Sequence, residues 1–255
     1  MENNRIIRQI LVPLATILTI AGNGFANYAR LNGFATGQIS DNYPNFFVPA
    51  GYVFAIWGII YIVLIAYSIW QALPAQHSNP RLQAIAPTYL LACIVNVLWL
   101  VSFHFLQFGL AMVLMLALLL SLITIYLRLR RDGDVATNER TFAHVPFSIY
   151  LGWVTVATIA NATQLLVSIN WNGFGIAQET WAAIMIAIAV VVALLMFIRQ
   201  RDVAYLLVLV WAIAGIGVKQ AVVLSVSTPA WIAVVLIALF AVASLFVRRP
   251  PLTMR

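Results

Sequence analysis

The sequence predicts an all-α membrane protein, a polytopic bundle of about eight transmembrane helices. Three observations carry that reading. Of 255 residues, 64% are hydrophobic and only 8% charged, and the mean hydropathy is +0.98, values outside the range of ordinary soluble domains. Apolar runs of about 20 residues, the length that crosses roughly 30 Å of hydrocarbon, recur along the whole chain. The cations, finally, are distributed on one side of the runs so defined.

The predicted spans are 6–28, 51–72, 84–106, 109–130, 145–168, 181–199, 203–226 and 229–248. The third and fourth meet at the short turn Leu106-Gln107-Phe108-Gly109, and the seventh and eighth at Ser227-Thr228-Pro229. With the N-terminus inside, the inside segments carry Arg5, Arg8, Arg81, Arg128, Arg130, Arg131, Arg140, Arg199, Arg201, Arg248, Arg249 and Arg255. The outside segments carry Arg30 alone, and Lys219 falls within a span. That asymmetry obeys the positive-inside rule and fails if a span is added or removed. It predicts a multi-pass cell-membrane protein with both termini cytoplasmic. The net charge of +7 then reports topology and contact with anionic membrane lipid, not nucleic-acid binding, for which no cation cluster exists. Arg5 and Arg8 ahead of Ile6–Gly22 also have the look of a cleaved leader, but Pro13, Asn23 and Asn27 suit a retained first helix better.

Two connections are long. Residues 29–50 form a polar external loop rich in Asn, Gly and aromatics, which reads as a lid or a linker. Residues 128–144 read as a solvated cytoplasmic connector. No internal repeat relates the two halves, which argues against an inverted-repeat transporter.

Within the apolar runs, amides and indoles share helix faces. Pro49 suits the first turn of the second span, and Trp57 and Tyr61, four apart, stack on one face. In the third span Asn96, Trp99 and Phe103 fall at i, i+3 and i+7; in the fifth, Trp153, Ala157 and Asn161 fall at i, i+4 and i+8. A buried amide without a partner is costly in hydrocarbon, so these stripes serve either helix–helix bonding or a ligand cavity. Three stripes of one chemistry lean towards the cavity.

Taken together, Pro49-Ala-Gly-Tyr-Val-Phe…Trp57-x3-Tyr61, Asn96-x2-Trp99-x3-Phe103 and Tyr150-Leu-Gly-Trp153-x3-Ala157-x3-Asn161 resemble the TspO/MBR family of tryptophan-rich sensory proteins. The resemblance covers about residues 1–170 and implies a five-helix TspO-like domain, followed by a three-helix extension over 171–255. Ala50 replaces the second of the family's paired prolines, and the stretch from Phe54 to Trp57 is one residue shorter than usual. The resemblance implies binding of a porphyrin such as protoporphyrin IX or haem, or of a sterol, for sensing, sequestration or transport, with no required cofactor and commonly as a homodimer. It implies that Trp57, Tyr61, Asn96, Trp99, Phe103, Trp153, Ala157 and Asn161 line the pocket, beside Pro49. Arg30 and Lys219 are the candidate partners for a ligand carboxylate.

Lys219, the one cation placed inside a span, also supports two other readings: a transport pathway through the C-terminal helices, or a retinal attachment. Retinal would need a counter-ion, and all seven acids fall outside the spans or at their ends. Snorkelling, or a partner such as Gln164 or Gln220, accounts for the lysine more simply. His77, His104 and His144 share no helix face and Cys93 is a lone apolar-helix thiol, so no metal site is predicted. No catalytic residue is predicted either, since no nucleophile–base order, phosphate loop or carboxylate pair appears.

Overall fold

The structure, a computed structural model, describes residues 2–43, 45–131 and 135–247. Asp132, Asp134, Arg248, Arg249, Arg255 and the Arg5 side chain, which enter the charge pattern, lie outside the described residues. The chain forms α1 (Glu2–Tyr28), α2 (Thr36–Asn42), α3 (Ile56–Ala72), α4 (Pro80–His104) and α5 (Phe108–Leu129). There follow α6 (Thr137–Glu139), α7 (Val145–Ser168), α8 (Gln178–Gln200), α9 (Val203–Lys219) and α10 (Leu224–Phe246). No strand occurs among the described residues. Among the described residues, seven helical segments are long and apolar enough to span a bilayer, with α9 as a shorter apolar eighth, so the chain is an all-α multi-pass membrane protein. Outward-facing Ile62, Ile94, Leu120, Val191 and Leu239 remain exposed, as expected of helices apolar on every face.

Four boundaries differ from expectation. The third span starts at Pro80, because Asn79 Oδ1 accepts the N–H groups of Arg81 and Leu82 and Pro80 takes the first helical position. Pro49 precedes its helix instead of opening it: a 3₁₀ segment, Gly51–Ala55, intervenes before α3. The connector expected over 128–144 is helical from Thr137, with a π-helical turn over Arg140–His144 leading into α7. Finally, α9 ends at Lys219 and Ser227-Thr228-Pro229 lies inside α10. A helix of 17 residues rises about 25 Å, short of the roughly 30 Å hydrocarbon layer.

The chain divides into two compact units, and the cut falls within α7 instead of at residue 170. Unit one comprises Met1–Thr36 and Trp57–Leu151. There Thr16 Oγ1 meets both Ser68 Oγ (2.6 Å) and Tyr89 Oη (2.7 Å), joining α1, α3 and α4. Tyr67, Tyr89 and Phe147 pack edge to face with centroids 4.9–5.6 Å apart. At the other end of α4 from His104, Arg81 donates to buried Glu139 (3.0 Å), so this acid of the supposed solvated connector is a packed, paired group.

Unit two comprises Gly37–Ile56 and Gly152–Arg255. Its helices approach over small residues: Ala182, Ala189 and Ala193 of α8, and Ala230, Ala233 and Ala241 of α10, are buried. Gly152 lies against Val208 and the Tyr205 carbonyl, where an added Cβ would sit 3.1–3.3 Å from its neighbours. The segment 37–56 is strapped onto this unit. Ala50 N–H donates to Gly215 O (3.1 Å), Trp211 Nε1 to Val53 O (3.1 Å) and Gln164 Nε2 to Ile39 O (3.3 Å).

Candidate functional site

In unit one the stripes converge. Trp57 stacks on Tyr61 (5.7 Å) and on Trp99 (6.3 Å), and its ring meets Tyr150 edge-on at 6.0 Å. Trp99 continues to Phe103 (5.5 Å), and Phe103 to Phe108 (5.7 Å). Asn96 sits beneath this array, 1% exposed. Its Oδ1 accepts from Asn23 Nδ2 (2.8 Å) and its Nδ2 donates to Tyr150 Oη (2.9 Å), so its polar atoms are spent on α1 and α7. Next to the cluster, Thr19, Cys93 and Tyr150 line a void of about 10 Å³, room for about one water. The rings of unit one fill one another's space.

The remaining predicted residues belong to unit two. Trp153, 3% exposed, meets Phe54 edge-on at 5.8 Å. Asn161 Nδ2 donates to the Ala157 carbonyl one turn back (2.9 Å), the same local satisfaction that Asn23 finds at Thr19. Pro49 lies against α9 near Gly215. Lys219, placed by its helix end at the rim of the unit instead of within a span, pairs with Asp41 of α2 at 2.6 Å. Neither Gln164 nor Gln220 is the partner. Arg30, in unit one, lies two residues past the end of α1, exposed and in a left-handed conformation.

A cavity of about 370 Å³ opens elsewhere in unit two, and no sequence-predicted residue lines it. Its walls are Asn45, Phe46 and Phe47 from the strap, Ala162, Thr163, Leu166 and Val167 from α7, and Trp171, Asn172, Gly173 and Ile176 from the α7–α8 connection. Gln178, Trp181, Ala182 and Met185 of α8 complete it. The connection is built tightly. Asn172 Oδ1 caps Phe174 N–H (3.1 Å), and Gly173 takes a left-handed φ of 64° while its carbonyl accepts from Trp181 Nε1 (3.0 Å). This holds the Trp171 and Trp181 rings 5.3 Å apart. On the facing wall, Asn45 Oδ1 accepts from Phe47 N–H (3.1 Å) and Thr163 Oγ1 (3.4 Å), fixing the two phenylalanines. Trp171-Asn172 and Gln178-x2-Trp181 set indoles beside amides as the stripes do, and they lie beyond the motif resemblance, which ends at about residue 170.

Helices apolar on every face, with an aromatic, amide-rimmed cavity of ligand size, define a polytopic membrane protein equipped to hold a small hydrophobic molecule. The chain belongs to the TSPO-like protein family: the family model described as TSPO-like protein matches residues 9–243. That match supports the resemblance carried by the motifs and also takes in α8 and α9 and most of α10. No curated protein and no solved structure matches the chain.

Proposed function

We propose that this protein binds a planar hydrophobic compound, tetrapyrrole or sterol-like, for sensing, sequestration or transport. The observation that carries the reading is the cavity of about 370 Å³ in unit two. It lies within the roughly 300–1,000 Å³ range of small-molecule sites and has the usual make-up of apolar walls with a few amides. Indole and phenyl faces stack on flat rings at little entropic cost, because few side-chain torsions need fixing.

On the family resemblance, Trp57, Tyr61, Asn96, Trp99 and Phe103 are proposed as a further ligand surface within unit one, and Pro49, Trp153, Ala157 and Asn161 as ligand contacts within unit two. The role in unit one requires its rings to part, since they are now in mutual contact. A transport pathway built on Lys219 is not favoured, because the ammonium stands at a helix end against Asp41.

Titration of the purified protein in detergent with protoporphyrin IX and with the fluorescent sterol dehydroergosterol, followed through ligand fluorescence, tests the proposal. Saturable binding of either, weakened about tenfold or more by the cavity-filling change Ala162→Phe, is the expected result. Unsaturable signals indifferent to Ala162→Phe would overturn it. Weakening by Trp57→Phe alone would move the site to unit one.

A further inference from the structure

The geometry points to a cavity selective for uncharged ring compounds, excluding ligands that carry a carboxylate; this rests on the binding reading above and specifies its ligand class. Among the described residues, none that lines the cavity is ionisable. The polar atoms that do face it are largely committed to the chain itself. Asn45 Oδ1 serves Phe47 and Thr163, Asn45 Nδ2 donates to Tyr43 O, Asn172 Oδ1 caps Phe174, and Trp181 Nε1 is held by Gly173 O. What stays open to a guest is the amide of Gln178 at the exposed rim and Nδ2 of Asn172, which suit one or two neutral hydrogen bonds.

A carboxylate brought into such walls would lose its hydration and gain no cation. The N-terminus of α8, which begins at the lining residue Gln178, would welcome an anion, but Glu179 already occupies its first turn with negative charge. In the same unit Lys219 is occupied by Asp41. Of the two ligand classes proposed above, the cavity therefore suits the neutral, sterol-like fused-ring compound, and a tetrapyrrole bearing two free acid arms is the wrong guest for it.

Two probes that share one ring system and differ in charge test this: 1-pyrenemethanol and 1-pyrenecarboxylate, titrated at pH 7.5 into the purified protein in neutral detergent. Energy transfer from tryptophan to pyrene is the readout. The alcohol is expected to bind at least about tenfold more tightly than the carboxylate. Ala162→Phe is expected to weaken the alcohol, and Gln178→Arg to raise the affinity of the carboxylate and narrow the gap. Equal affinities, or preference for the carboxylate, with sensitivity to Ala162→Phe retained, would overturn the charge selectivity while leaving a ligand-binding cavity standing. Transfer from both probes that never saturates, or that ignores Ala162→Phe, would mean partition into the micelle and would overturn the cavity reading as well.

Discussion

At the residue scale, the amide that stands among the aromatic stripes is a joint. Asn96 ties α4 to Asn23 of α1 and to Tyr150 of α7 through both ends of its side chain. Asn96→Leu leaves the Asn23 Nδ2 and the Tyr150 hydroxyl each short of a partner in a buried setting. It should lower stability by about 1–2 kcal/mol, within the range of interhelical hydrogen bonds in membranes and of orphaned buried groups. Thermal unfolding in detergent checks this, with Tyr150→Phe expected to cost less because it removes only one of the two bonds. The stripe itself was legible: spacing alone put Asn96, Trp99 and Phe103 on one face, and they lie there. Which helix would answer the amide was not legible, because i+3 and i+4 periodicity says which way a side chain faces and nothing about what it faces. The choice between bonding and cavity could not be made from one helix at a time.

At the element scale, the strap over residues 37–56 is fastened mainly by backbone groups. Gly215 is the position that permits it, since a Cβ there would overlap Val53 and crowd Pro49 while its carbonyl accepts the Ala50 N–H. Gly215→Val should push the strap off α9, quicken proteolysis between residues 37 and 56, and weaken ligand binding, because Asn45–Phe47 form one cavity wall. Limited proteolysis of wild type and variant reads the first effect, and the titrations above the second. Lys219→Met should behave differently. Its partner Asp41 is 58% exposed at the side chain, so the pair is worth at most about 1 kcal/mol and its loss should shift the melting temperature little. The strap's attachment was invisible in the sequence, as was the α9–α10 turn. That turn, Gln220 to Val223, holds no Gly, Pro or Asn, whereas Ser227-Thr228-Pro229 has turn chemistry yet is absorbed into α10. By contrast, the Asn79-Pro80 cap is a start signal that the sequence itself carries.

At the scale of the whole molecule, the class was readable because it depends on sums: apolar length, charge scarcity and cation asymmetry survive errors of several residues at each boundary. The cavity was not, because its strap wall, Asn45–Phe47, meets a wall built from residues 162–185, with Asn45 and Thr163 118 positions apart in the chain. The family match across residues 9–243 takes in the helices that build its second wall. The measurement that addresses the central claim most directly is the location of a bound ring. A diazirine derivative of 1-pyrenemethanol, irradiated with the purified protein and mapped by mass spectrometry, should leave adducts on Phe46-Phe47, on 162–167 and on 171–185. Adducts confined to Trp57, Trp99 and Phe103, or scattered over lipid-facing residues such as Ile62 and Leu239, would contradict the account.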